Sequence, residues 1–433
     1  MAYSESNYFN IKVILFVLTL TFLPVYSHAL KADSLKAILV EYYHNDTTRV
    51  NLLSQIATAY KDVNNDSMRV AALKGLELAR KINFEKGKGE CLMLVGLASL
   101  NAGQNDKAVT TYQEAIACFE KVGNKKAVAT ATGNIALIYY RTRKTDDAMT
   151  WFKKMGDIAS AAHDDENYAM SLVRTGYMYS DKGNYSEALS YALRGLSVYE
   201  RLNDKTNIAA CYRDIADVYS LTGDTLRTKE YINKCLATSV GFKDLQARIA
   251  NYTAVGSIFG RLQDAENALI SFNIGYTLAD SINNHYWKNV CLINQGEVYM
   301  QLRKYEEARS KFTAALKESI IADDSVGMAY NYSGVGGTLL FTGHLREAIE
   351  QLLKAYGITS RKGLLHQSFV SASDIGEAYE KLKDYKHALE FMKIARSIKD
   401  SMFNEQSDKK IQQLQFEYEL GKKQNQIELL NKN

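Results

Sequence analysis

The sequence predicts an all-α solenoid of about nine helix–turn–helix repeats with a forty-residue period. Three observations predict it. A small residue recurs at Gly96, Ala136, Gly176, Ala216, Gly256, Gly296, Gly336 and Gly376. A second recurs at Ala108, Ala148, Ala188, Ala268, Ala308, Ala348 and Ala388, with Thr228 in the same place. Four residues after these stands a larger apolar residue, at Tyr112, Phe152, Ile232, Phe272, Phe312, Leu352 and Met392, with Ala192 as the small exception. Helical neighbours lie three and four residues apart, so Ala188, Ala192 and Gly195 share one face that another helix can approach. So strict a period over eight copies marks a stack in which each repeat buries its apolar faces against the next. No linker rich in proline, glycine or serine interrupts residues 49–402, and the single proline, Pro24, lies before them.

Residues 1–29 have the pattern of a secretory signal peptide. Lys12 precedes the apolar run Val13 to Leu23, and Ser27 and Ala29 suit cleavage after Ala29. The run is shorter than the roughly 20 residues that span a bilayer. The expectation is export to a bacterial periplasm, or attachment at the outer face of the inner membrane if the leader stays uncleaved. Residues 30–48 are expected to cap the stack with one short helix, Ser34 to Tyr43, since a terminal repeat has a face without a neighbour. The first repeat, about 49–82, has Ala57 and Tyr60 in place but Met68 where alanine is usual, and a turn at Asn64-Asn65-Asp66-Ser67. Eight more repeats reach residue 402. The tail, 403–433, is dense in Lys, Glu and Gln, with Ile411, Leu414, Tyr418, Ile427 and Leu430 at helical spacing. Gly421 and Asn425 interrupt its heptads. It is either a coiled coil that makes a homodimer or a charged helix on the last repeat.

Within each copy the pattern is G/A-x-x-Y, a short polar turn, then A-x-x-x-[FYL]-x-x-[AG], as in Gly183-Asn-Tyr-Ser-Glu-Ala188 and Leu302-Arg-Lys-Tyr-Glu-Glu-Ala308. This resembles the tetratricopeptide repeat, which implies a right-handed superhelix. That family's period is about 34 residues, so here both helices or the corner between repeats must be longer. The family's proline near the end of the second helix is missing. HEAT and armadillo repeats have about this period but lack the paired small residues. NDTTRVNLLSQIATAY at 45–60 and KKIQQLQFEYELGKKQNQIELLNKN at 409–433 resemble the extracytoplasmic sensor region of bacterial tetratricopeptide sensor histidine kinases and related regulators. That resemblance implies a role in signal sensing and a membrane-bound signalling partner. The alternative it raises is the sensor portion of such a kinase or transcription regulator, with the transmembrane and output domains missing from this chain.

Catalysis finds little support. The seven histidines are scattered, no pair has the four-residue spacing of a helical metal site, and G-x-S-x-G and G-x-x-x-x-G-K-[ST] do not occur. No cofactor or metal is expected. Net charge of +4 is too weak to argue for nucleic acid. Cys91, Cys211 and Cys291 share one repeat position, too far apart for a disulfide, and all five cysteines have the setting of small buried apolar residues. Asn251 and Asn331 head Asn-x-Ser/Thr triplets inside expected helices, where glycosylation does not occur.

Binding is the better prospect, because stacked first helices line a long groove. Groove positions are three before, two before and one after the small residue of the first helix. They give a central polar band of Asn134, Arg174, Tyr177, Arg213, Asp214, Asp217, Asn294 and Glu297, and further on Ser333, Gly334, Gly337, Asp374 and Glu377. Asn amides can pair with an extended peptide backbone, and Arg can grip a carboxylate with two bonds. The Lys-Asn-Lys-Arg clamp of repeat co-chaperones is absent from this band. The expected ligand is a peptide or protein segment.

Overall fold

Seventeen residues of helix and a three-residue connection make the unit from which most of this protein is built. The structure, a computed structural model, describes residues 23–402 apart from 62 and 143, with side chains from residue 32. The leader up to residue 22 and the tail 403–433, with its expected coiled coil, lie outside the described residues. All described elements are helices. Two seventeen-residue helices and two connections make forty, so the extra length over the usual repeat is in the helices.

The connections show why the chain turns where it does. In the three-residue connections whose middle residue is described, that residue is left-handed, as at Gly183 (φ 74°) and Gly343 (φ 84°), but also at Arg303 (φ 58°) and Lys383 (φ 63°). The next amide then closes the finished helix: Asn184 N donates to Tyr179 O at 2.9 Å and Lys304 N to Tyr299 O at 2.9 Å. The same residue often opens the following helix. The side chains of Asp164, Asn184, Asp204, Asp224, Asp264, Asn284 and Asp324 accept from the amide three residues on.

The first unit ends at Phe242 and the second begins at Lys243. The first contains α1 (Leu23–Glu41), α2 (Thr47–Ala59), α3 (Asn65–Lys81), α4 (Glu85–Asn101), α5 (Asn105–Lys121), α6 (Lys125–Arg141), α7 (Thr145–Ala161), α8 (Asp165–Asp181), α9 (Tyr185–Arg201), α10 (Lys205–Leu221) and α11 (Thr225–Ser239). The second contains α12 (Leu245–Arg261), α13 (Ala265–Ser281), α14 (His285–Gln301), α15 (Tyr305–Ile321), α16 (Ser325–Phe341), α17 (Leu345–Arg361), α18 (Leu365–Lys381) and α19, residues 385–402. From α2 onward they pair into nine hairpins among the described residues. Helix α11 is two residues shorter than its counterparts, and five residues, 240–244, replace the usual three before α12. The capping helix α1 is longer than the expected Ser34 to Tyr43. Pro24 falls in its first turn, where a missing amide proton costs nothing, and no later residue breaks it. No helix among the described residues is long and apolar enough to cross a membrane.

The recurring glycine and the recurring large residue are partners. A Cβ on Gly96 would lie 2.8 Å from the Tyr112 ring, on Gly256 2.6 Å from Phe272, and on Gly296 2.8 Å from Phe312. The small residue of one helix therefore makes room for a ring sixteen positions later. These rings are almost fully buried: Tyr112 and Phe272 at 1% and Phe312 at 4%. A second layer stacks aromatic rings twelve positions apart, Tyr179 on Tyr191 at 5.3 Å and Tyr219 on Tyr231 at 5.7 Å. All five cysteines are buried, as their apolar setting predicts. Burial pushes the Cys91 and Cys211 thiols up to about 12 and those of Cys235 and Cys291 to about 11, which leaves them unreactive. Asn251 and Asn331 are buried inside helices, closed to glycosylation.

Candidate functional site

In the first unit, the groove positions of α8 and α10 meet. Tyr177 Oη donates to Asp214 Oδ1. Arg213 donates to the same oxygen from Nε at 3.0 Å and from Nη2 at 2.9 Å, and its Nη2 lies 3.1 Å from Tyr177 Oη. The Arg174 guanidinium sits 5.9 Å from the centre of the Tyr177 ring. Asp214 is buried, and its second oxygen, Oδ2, has no protein partner. Burial pushes its carboxyl up, against the pull of Arg213 and Tyr177. Burial, followed by the Asp214 charge, raises the Tyr177 phenol as well. The donor fork of Arg213, expected from the sequence to grip a ligand carboxylate, is directed at Asp214 instead. Asn134 and Asp217 are half-buried on the same set of positions.

The exception at Ala192 accounts for a cavity beside this cluster. Where other repeats place a ring or a long aliphatic chain, Ala192 leaves about 20 Å³ bordered by Gly176, Tyr177, Ala188, Asp214 and Asp217.

In the second unit, groove positions from three successive first helices line one larger cavity of about 260 Å³. Helix α14 brings Ile293 and Glu297, α16 brings Ser333, Gly334 and Gly337, and α18 brings Val370, Ser371 and Asp374. Phe312 of α15 forms part of the wall. Gly334 is what lets that ring approach, since a Cβ there would lie 2.6 Å from it, whereas a Cβ on Gly337 would meet nothing within 4 Å. Phe341 stands at the edge, 59% exposed, with its ring 5.1 Å from that of Tyr305. Glu297 is open to solvent in this concavity, yet the protein around it displaces enough water to raise its carboxyl. Burial, then the charge of Glu377, pushes the Asp374 carboxyl up to about 6. Asn294, the other expected residue here, donates to Val290 O at 2.8 Å within its own helix and does not line the cavity.

Among the lining residues that escaped the sequence reading are Phe341, Val370 and Ser371. Ser371 occupies the slot that holds Cys91, Cys211 and Cys291 in other repeats, five before the small residue. Ser171 in that slot donates to Tyr168 O at 2.7 Å, and Asn331 donates to Asn289 Oδ1 at 2.8 Å. Ser371 Oγ is buried with no partner, although the residue is only 1% exposed. A polar residue in a slot otherwise fit for a thiol was the available signal.

Residues 90–161 and 169–206 each match a tetratricopeptide repeat family. A search of curated proteins finds no match. Among solved structures the chain is similar to a Rap protein complexed with competence and sporulation factor, at 13% identity and a TM-score of 0.52, covering 83% of this chain and 99% of that one. It is similar to the apo form of the quorum sensor NprR from B. thuringiensis, at 13% identity and a TM-score of 0.51, covering 81% and 98%. It is also similar to a STAND signal-transduction ATPase with a tetratricopeptide repeat sensor from Pyrococcus horikoshii, at 14% identity and a TM-score of 0.51, covering 74% and 50%. At such identities the likeness concerns the fold.

Proposed function

We propose that this chain, a tetratricopeptide-repeat solenoid, is an exported scaffold that binds a peptide or protein segment along its first helices and serves in signal sensing rather than catalysis. The observation that carries the reading is the cavity of about 260 Å³ walled by corresponding positions of α14, α16 and α18. A ligand that occupies it touches three repeats at once, which is how stacked repeats gain affinity without a deep catalytic pocket. Two proteins of similar fold support it, the Rap protein complexed with competence and sporulation factor and the quorum sensor NprR. The leader supports export, and the tail supports self-association.

The test uses the intact chain as bait for a displayed peptide library, with Gly337→Trp and Ser333→Trp as blocking variants. Gly337 faces open space, so a large side chain there projects into the cavity without displacing a neighbour. Selected peptides are expected to lose at least about tenfold in affinity for both variants, with far-UV circular dichroism unchanged. Undiminished binding to both would overturn the reading.

A further inference from the structure

We infer that the cavity between α14, α16 and α18 selects a basic peptide segment, in which an aliphatic or aromatic side chain fills the apolar wall and a neighbouring Lys or Arg is held by Glu297 and Asp374. This rests on the reading above and gives that site its ligand class. Three observations carry it. The wall is mostly apolar, with Ile293, Phe312 and Val370, and Phe341 stands exposed at its edge without a protein cover on that side. Two carboxylates line the same cavity, and among the described residues no Lys or Arg lines it. The surrounding protein raises both carboxyls although Glu297 is exposed and Asp374 only half-buried, and a ligand cation beside them would offset that loss of hydration. Finally, Ser371 Oγ is buried there with no partner, a hydroxyl able to donate to or accept from a backbone group of the bound segment.

The raised Asp374 carboxyl agrees with a site awaiting positive charge. The titratable groups around it are Glu297 on α14, Tyr330 on α16, and His366 and Glu377 on α18. A bound cation would return it to the ordinary carboxylate range.

The experiment measures calorimetric affinity of the intact chain for capped heptapeptides containing Leu-Lys or Phe-Lys, against the same peptides with Lys replaced by Gln. At pH 7.5 the Lys peptides are expected to bind about tenfold more tightly. The preference should shrink at pH 5, where Asp374 is protonated, and vanish in the Glu297→Gln, Asp374→Asn double variant. Equal affinity for Lys and Gln peptides, or a Lys preference that survives in the double variant, would overturn the inference. If Gly337→Trp still blocks Gln peptides in that case, the groove stands and only its charge preference falls. If neither class binds and library peptides ignore Gly337→Trp, both fall together. A single Asp374→Ala variant with wild-type helicity guards against misfolding of the double variant.

Discussion

Asp374, the residue proposed to hold a ligand cation, shows how a binding role can work against the fold that holds it. Its carboxyl lies at about 6 in the folded chain against an ordinary 3.8. The folded state therefore holds the proton more tightly than the unfolded state. The contribution of Asp374 to stability is greatest below the unfolded value and falls as pH rises through the window from about 4 to 6. Asp374→Asn should remove that loss. At pH 7.5 it is expected to raise stability by about 1–2 kcal/mol, discounted for the partial exposure of the side chain, and to change little at pH 4. Calorimetric melting at the two pH values checks this. A variant that melts higher while binding a basic peptide less well would display the usual opposition between stability and function. The cluster of Arg213, Asp214 and Tyr177 is the contrasting case. There the charge is matched within the chain, so its removal would leave a buried carboxylate alone rather than free a site.

At the scale of the element, size is conserved between partner positions rather than at either one. Gly256 and Phe272 share one volume, as do Gly296 and Phe312. Phe272→Ala should leave a cavity that two facing helices cannot close, at a cost of about 3 kcal/mol, read from the denaturation midpoint. Ala192 is the reverse, since its repeat already has the void. Ala192→Leu, which supplies the side chain found at Leu352, is expected to lower the melting temperature, at a cost of about 1–3 kcal/mol, because a void of about 20 Å³ is too small for the added carbons. A stabilised Ala192→Leu chain would mean that the helices around this void can part to admit the larger side chain. Connections follow the same economy: one Asp or Asn ends a helix through its amide and starts the next through its side chain.

For the molecule as a whole, the repeat was open to sequence reading because its small residues are spaced by packing, and packing repeats exactly as the helices do. Helix length is not legible in the sequence, because Arg303 and Lys383 take left-handed turns that their side chains do not announce. Groove positions were legible one by one, since they follow from phase along the helix. Their partnerships were not, because Arg213 can pair with a ligand or with its neighbour Asp214, and only distance decides. Phe341 was missed because it lies five residues past the small position, outside the groove phase considered. The leader makes a prediction at this scale. Helix α1 starts at Leu23, and Ala32 within it is fully buried. Cleavage after Ala29 would shorten α1 but keep that anchor. Expression with the native leader should yield a secreted product whose N-terminal sequence starts at Leu30. An unprocessed product retained in the cytosol would refute export.

The constant twenty-residue step has a consequence for how such a chain can grow or shrink. Removing one step would put a second helix where a first helix belongs, turning ring-bearing faces toward the groove. Removing or duplicating two steps restores the alternation. The groove can therefore be lengthened in whole multiples of forty residues, each adding another rung of groove-lining side chains, while lengths in between would scramble inside and outside.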